Sequence, residues 1–193
     1  SSPMILFVGQ VGIKIKGREA FQEIDYETAF KDIAKWTVEI NDVDRIPEII
    51  SRAWFTAISG RPGPVVVALP ENILTQESSA SVLTKAIFVE KAVPSSASID
   101  NVDRLLSECN RPLIIIGGST WDESGQDALK DFAETSRIPV IAAFRYQDQF
   151  DNFSNSFCGE AGVGMPAHVR ELIKKSDLIL AINIRFGEMT TDA

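Results

Sequence analysis

Short, wholly apolar runs recur at wide intervals along the chain: Met4–Val8, Val65–Leu69, Leu113–Ile116, Val140–Ala143 and Leu178–Ile182. This pattern constrains the fold more than any other feature. The runs do not alternate apolar with polar residues, and Gly, Pro or polar side chains bound each one. Strands covered on both faces read this way, because a parallel sheet carries helices on each side. Stretches with helical spacing lie between them. Repeated helix–strand order predicts an α/β fold of parallel sheets flanked by helices.

The clearest helix is expected from about Asp44 to Ser59. Ile46, Ile49, Ile50, Ala53, Trp54, Ala57 and Ile58 share one face there at i, i+3, i+4, i+7, i+8 spacing. Asp42 or Asp44 can cap it, and Pro47 is tolerated because it lies in the first turn. Ser59-Gly60-Arg61-Pro62-Gly63-Pro64 then turns the chain into the next strand. A second stripe of Ile99, Val102, Leu105, Leu106 and Cys109 begins near Ser98 or Asp100 and ends at Arg111-Pro112. Ala128, Leu129, Phe132 and Ala133 mark another helix, and Pro139 opens the strand after it. Phe144–Gly164 reads as a polar, aromatic loop before a short helix near Ala167–Lys175, and the last strand spans Leu178–Ile184. Residues 74–97 lack periodicity and are rich in serine, as a surface linker is. The expected organisation is an incomplete α/β unit over 1–73, a linker over 74–97 and a Rossmann-like unit over 98–193. The first unit has two clear strands, with Thr37–Ile40 as a candidate third.

Composition narrows the function. The 193 residues carry 19 Lys+Arg against 27 Asp+Glu, a net charge of −8 with no basic tract. Nucleic-acid binding rests on phosphate neutralisation and is not expected. The aliphatic runs are far too short to span a bilayer, so no membrane role is expected either. The N-terminal SSPMILFVGQ has no basic n-region or cleavage-type segment. Cys109, Cys158 and the single His168 are too few for a Cys/His zinc site, and a reduced, cytoplasmic setting follows as the default.

Four segments offer chemistry, and the first three have a plainer reading beside them. Gly117-Gly118 follows a strand and precedes a helix, where α/β folds bind ligands, yet it is also a tight turn and lacks G-x-G-x-x-G. Gly159-Glu160-Ala161-Gly162-Val163-Gly164-Met165-Pro166 could bring backbone close to a phosphate, or be a loop leading into a helix. Asp148 and Asp151 form a metal pair or two solvated carboxylates. Gly17-Arg18-Glu19-Ala20-Phe21-Gln22-Glu23 reads as a loop with an exposed binding edge. His168 has no Ser or Cys neighbour in sequence to suggest a triad, and nothing basic flanks Cys158 to activate it.

Several of these segments together resemble a known family. PMILFVGQV (Pro3–Val11), GREAFQE (Gly17–Glu23) and SGRPGPVVVALPENI (Ser59–Ile73) resemble the second half of the pyrimidine-binding domain of thiamine-diphosphate enzymes, above all the acetolactate synthase group. RPLIIIGGS (Arg111–Ser119), FRYQDQFDN (Phe144–Asn152), GEAGVGMP (Gly159–Pro166) and SDLILAINIRFGEMTT (Ser176–Thr191) resemble the central domain of those enzymes, in the same order.

The resemblance implies carboligase or lyase chemistry on 2-keto acids, with thiamine diphosphate, Mg²⁺ and a homo-oligomer whose active sites form between subunits. Phe21 and Gln22 match positions lining the substrate side; Gly117, Gly118, Gly159 and Arg185 match positions that contact FAD in the acetolactate synthase group. Asn183 departs from that group, which has glycine there, and the residues around Gly187 and Met189 depart as well. The glutamate that activates the cofactor would precede Ser1, and the Gly-Asp-Gly…Asn motif that holds Mg²⁺ and diphosphate would follow Ala193. A fragment inactive by itself is therefore the leading expectation. Beside it stand a nucleotide-binding module for FAD or ADP and a non-catalytic assembly module.

Overall fold

The computed structural model describes residues 1–82, 84–85, 87–90, 92–118 and 120–191. Leu83, Ala86 and Lys91 of the linker, Ser119 of the Gly-Gly-Ser turn, and Asp192 and Ala193 lie outside the described residues. Two compact units divide the chain, Ser1–Lys91 and Ala92–Ala193.

The first unit runs β1 (Met4–Gln10), α1 (Tyr26–Phe30), β2 (Trp36–Glu39), α2 (Ile46–Ile58), β3 (Pro64–Pro70) and α3 (Glu71–Leu74). Its strands form a parallel sheet in the order β1-β3-β2, with Met4 opposite Pro64 and Trp36 opposite Val65. The continuous apolar run makes β3 the central strand: Val65, Val66, Val67 and Ala68 are all buried. Each buried valine contributes roughly 1.5–3 kcal/mol. Val65 and Val67 meet Ile49, Ala53 and Ala57 of α2. The helix follows its expected stripe, although Trp54 stays about half exposed. Asp42 caps a single 3₁₀ turn, Val43–Arg45, and α2 proper begins after it with Pro47 in its first turn.

The second unit runs α4 (Ser96–Glu108), β4 (Pro112–Ile116), α5 (Glu123–Ser136), β5 (Val140–Ala143), β6 (Phe157–Ala161), α6 (Ala167–Lys175), β7 (Leu178–Ile182) and α7 (Glu188–Thr191). Its parallel sheet has the order β6-β5-β4-β7. Leu129 and Ala133 of α5, with Leu106 of α4, pack on one face against Ile114, Ile116 and Val140. Val169, Leu172 and Ile173 of α6 pack on the other against Leu113, Ile115 and Ile141. Helices on both faces of a parallel sheet are the Rossmann-like arrangement expected from the apolar runs.

Three local expectations are corrected. The segment Phe144–Gly164 is not wholly a loop, because Phe157–Ala161 forms β6 along β5. The cap of α4 is Ser95, whose Oγ accepts from the Ser98 N–H at 3.2 Å, and not Ser98 or Asp100. The last strand stops at Ile182, since Asn183 turns into the left-handed region at φ 53°.

Asp177, ahead of β7, ties the two ends of β4's approach together. Its carboxylate accepts from the backbone N–H of Arg111 at 2.8 Å and of Asn110 at 3.0 Å. These backbone bonds hold its carboxyl below the usual carboxylate range. A carboxyl with a lowered folded pKa stabilises the fold above the ~3.9 of an unfolded aspartate. That stabilisation disappears as pH falls through the still lower folded value. Acid melting curves of wild type and Asp177→Asn are expected to converge below that range and to diverge above it, with the variant less stable. A gap independent of pH would show that the carboxylate charge is not what matters.

Candidate functional site

At the carboxyl ends of the first sheet, polar side chains organise the segment from Val11 to Ile24. Gln10 ends β1 with only 3% exposure. Its Nε2 donates to the Ile24 carbonyl at 2.7 Å and to Glu39 Oε2 at 3.2 Å, while Oε1 accepts from the Val11 N–H. Glu39, which ends β2, also pairs with Lys16 at 2.7 Å. Asn72 Oδ1 accepts from the Ile13 N–H at 2.8 Å. Gln10 and Glu39 carried no functional reading of their own in the sequence. The available signal was a polar residue closing an apolar strand run.

Within that segment the Gly17–Glu23 turn is clasped by its own last residue. Glu23 accepts from the Gly17 N–H at 2.6 Å through one oxygen and from the Ala20 N–H at 3.2 Å through the other. Glu19 at φ 56° and Gln22 at φ 68° occupy left-handed backbone, which costs about 1–3 kcal/mol each and persists only where surroundings impose it. The clasp imposes it here. Phe21 consequently stands 89% exposed at the top of the turn, beside Gln22. A phenyl ring held away from the core by a strained, clasped turn is suited to meeting a ligand or another surface.

The second unit places its candidates around the carboxyl end of its own sheet. The chain leaves β4 for β5 and β6 on one side, then returns through α6 to put β7 on the other side of β4. The β4–β7 boundary is thus a topological switch point, where open α/β sheets form a crevice. Gly117-Gly118 follow β4, and Asn183, Ile184 and Arg185 follow β7. Arg185 is exposed there. Gly159 sits apart, inside β6 opposite Ile141, so β5 separates it from the β4–β7 boundary.

The three glycines have neighbours of their own. A Cβ on Gly118, at φ 74°, would lie 2.5 Å from Asn183 atoms; one on Gly117 would lie 3.2 Å from the Ile184 backbone; one on Gly159 would meet Val169 at 3.1 Å. Their bare sides are turned to protein. Gly117 N–H donates to Ile182 O at 3.1 Å, and Gly117 O accepts from Trp121 Nε1 at 2.8 Å.

Other candidates take simple partners. Asp151 pairs with Lys130 at 2.7 Å, and that lysine lowers its carboxyl; Asp148 accepts from Gln149. No group of three His, Cys, Asp or Glu side chains among the described residues could hold a metal ion. Burial pushes the Cys158 thiol up, and its backbone carbonyl lies 2.9 Å from His168 Nε2. Among the described residues, no helix is long and apolar enough to cross a membrane.

Residues 99–193 match the family model described as the thiamine pyrophosphate enzyme, central domain. Residues 99–193 are a central domain of the thiamine pyrophosphate enzyme family. The chain is acetolactate synthase-like in sequence. Mitochondrial acetolactate synthase catalytic subunit of Aspergillus candidus is 30% identical over 98% of the chain and 29% of its own length. Chloroplastic acetolactate synthase 1 of Zea mays is 31% identical over 99% of the chain and 30% of its own. Among solved structures, the thiamine diphosphate-dependent 4-hydroxybenzoylformate decarboxylase of Rhodococcus jostii RHA1 shares the fold, with a TM-score of 0.78 at 24% identity over 93% of the chain and 34% of its own. The chain spans about 30% of the length of these acetolactate synthases.

Two groups that the family implies can be weighed against these residues. For thiamine diphosphate, the sequence holds no Gly-Asp-Gly string and the described residues no metal cluster. These residues do not build the diphosphate anchor. For FAD, a dinucleotide would need the bare faces of Gly117 and Gly118, which Ile184 and Asn183 cover. The switch point as arranged does not fit the flavin.

Proposed function

We propose that the protein serves thiamine-diphosphate chemistry on 2-keto acids, as an acetolactate synthase-like carboligase or lyase. The observation that carries this reading is the clasped Gly17–Glu23 turn, which presents Phe21 and Gln22 at a sheet end in a chain that carries this family's central domain. Thiamine diphosphate, when bound, supplies the carbanion stabilisation that breaks and makes bonds next to the keto carbon. Phe21 contributes an apolar wall against the substrate side chain and excludes water; the Gln22 carboxamide offers a donor and an acceptor to orient a carbonyl or carboxylate. Glu23 sets the position of both through the backbone.

On this reading the activating acid and the Mg²⁺-diphosphate anchor are supplied by residues other than these 193. The 193-residue chain alone is then expected to bind Mg²⁺-thiamine diphosphate only weakly and to release no CO₂ from pyruvate. Titration calorimetry with the cofactor checks this, and submicromolar binding would overturn the assignment of the anchor elsewhere. The 2-keto acid reading itself is checked with any longer reading frame that carries this segment, by CO₂ release in the presence of cofactor and Mg²⁺. Absence of turnover with aliphatic and aryl 2-keto acids would remove it.

The reading includes a homo-oligomer in a reducing, cytoplasmic setting, which suits two free cysteines, Cys109 and Cys158. Among the described residues, β1 pairs only with β3, leaving an edge on which Met4 is 51% and Phe7 50% exposed. Exposed apolar strand edges invite pairing. Light scattering at micromolar concentration is expected to give a dimer or larger; a clean monomer would count against it.

A further inference from the structure

We propose that Asn183 is a specificity residue that caps the β4–β7 switch point and closes this protein to adenine dinucleotides. Paired glycines after the first strand of such a sheet normally let a pyrophosphate approach the backbone. Here the same bareness accommodates the loop after β7. The Asn183 carboxamide carbon, its Nδ2 and its backbone oxygen each lie 2.5 Å from the Cβ position of Gly118, in the space that a ligand would need. The carboxamide is also anchored: Nδ2 donates to Thr120 Oγ1 at 2.8 Å, across 63 positions of sequence. Thr120 belongs to the loop that leaves Gly118. The latch therefore joins the two loops that flank the crevice. Trp121 holds the same loop from behind through the Gly117 carbonyl.

The conformation of Asn183 makes the idea testable without unfolding the protein. At φ 53° the residue occupies left-handed backbone, which Asn tolerates and Gly adopts freely. Asn183→Gly removes the carboxamide and its bond to Thr120, which frees the loop after β7 to carry the backbone oxygen of residue 183 off Gly118, while keeping a residue suited to that backbone. Thr120→Val keeps nearly the same shape and removes only the acceptor. Both act on the latch and leave Phe21 and Gln22 untouched, so the outcome is separable from the 2-keto acid reading.

The experiment titrates the purified chain with FAD and with ADP, followed by flavin fluorescence and calorimetry, after circular dichroism has shown each variant folded. Wild type is expected to show no saturable binding up to high micromolar FAD. Asn183→Gly is expected to tighten binding at least about tenfold, equivalent to ~1.4 kcal/mol. Saturable low-micromolar binding of FAD by wild type overturns the proposal. A folded Asn183→Gly that binds no better than wild type overturns it equally. Should Asn183→Gly not fold, Thr120→Val decides in its place: a gain in FAD affinity supports the latch, and no gain overturns it.

Discussion

Ile114→Ala is expected to destabilise the second unit by about 3–5 kcal/mol, the largest effect of any single side-chain truncation considered. Ile114 is 0% exposed at the middle of β4, between Val140 of β5 and Leu180 of β7. Leu129 and Ala133 of α5 close the face above it. Strands on both sides fix the backbone, so the cavity left by three lost carbons cannot collapse, and the upper part of the usual range applies. Domains of this size hold only about 5–15 kcal/mol in total. Urea unfolding by circular dichroism measures the loss, and hydrogen exchange of β4 and β5 amides locates it in this sheet. Ile179→Ala is the comparison: Ile179 is on edge strand β7 and 39% exposed. A loss for Ile114→Ala no larger than that for Ile179→Ala would show that the sheet relaxes around the cavity.

Gly118→Ala is expected to cost about 2–4 kcal/mol, from left-handed backbone strain together with forced displacement of a neighbour. The residue sits at φ 74°, and the added methyl would stand 2.5 Å from the backbone oxygen of Asn183 as well as its side chain. A backbone atom cannot swing aside as a flexible side-chain end can. The loop after β7 must therefore move, breaking the bond between Asn183 and Thr120. Gly9→Ala serves as the control. It lies within β1, has no atom within 4 Å of the new methyl, and is expected to be neutral or slightly stabilising. Equal effects for the two substitutions would mean that the Gly118 contact is not rigid.

Much of the architecture was legible locally. The runs at Val65–Leu69 and Leu113–Ile116 became the central strands of their sheets because a residue flanked by strands and covered by helices has no polar option. The α2 stripe and the Ala167–Lys175 helix were equally readable, since 3.6-residue periodicity records which side chains face a core. The β6 strand was not readable. Phe157-Cys158-Gly159-Glu160-Ala161 mixes glycine and charge with apolar residues, and it is extended because β5 offers an edge and Val169 fills the space over Gly159. The Ser95 cap was missed among neighbouring serines, because any of them could serve until the first helical turn chose one.

The candidate site divides the same way. GREAFQE could be read as an exposed loop and as a motif that resembles the family's, but the sequence carried no sign that Glu23 clasps Gly17 and Ala20. Gly117-Gly118 could be recognised as a turn after a strand. Only strand order β6-β5-β4-β7 made it a switch point, and only the contact with Asn183 showed what occupies its bare face. The sequence by itself determined the class of fold, the positions of most helices and strands, and the resemblance to the family. Tertiary structure alone decided strand neighbours, the β6 strand and the contact of Asn183 with Gly118. The physical reason is range: periodicity and composition report each residue's own burial, whereas pairing and latching join groups that the chain separates by 63 positions.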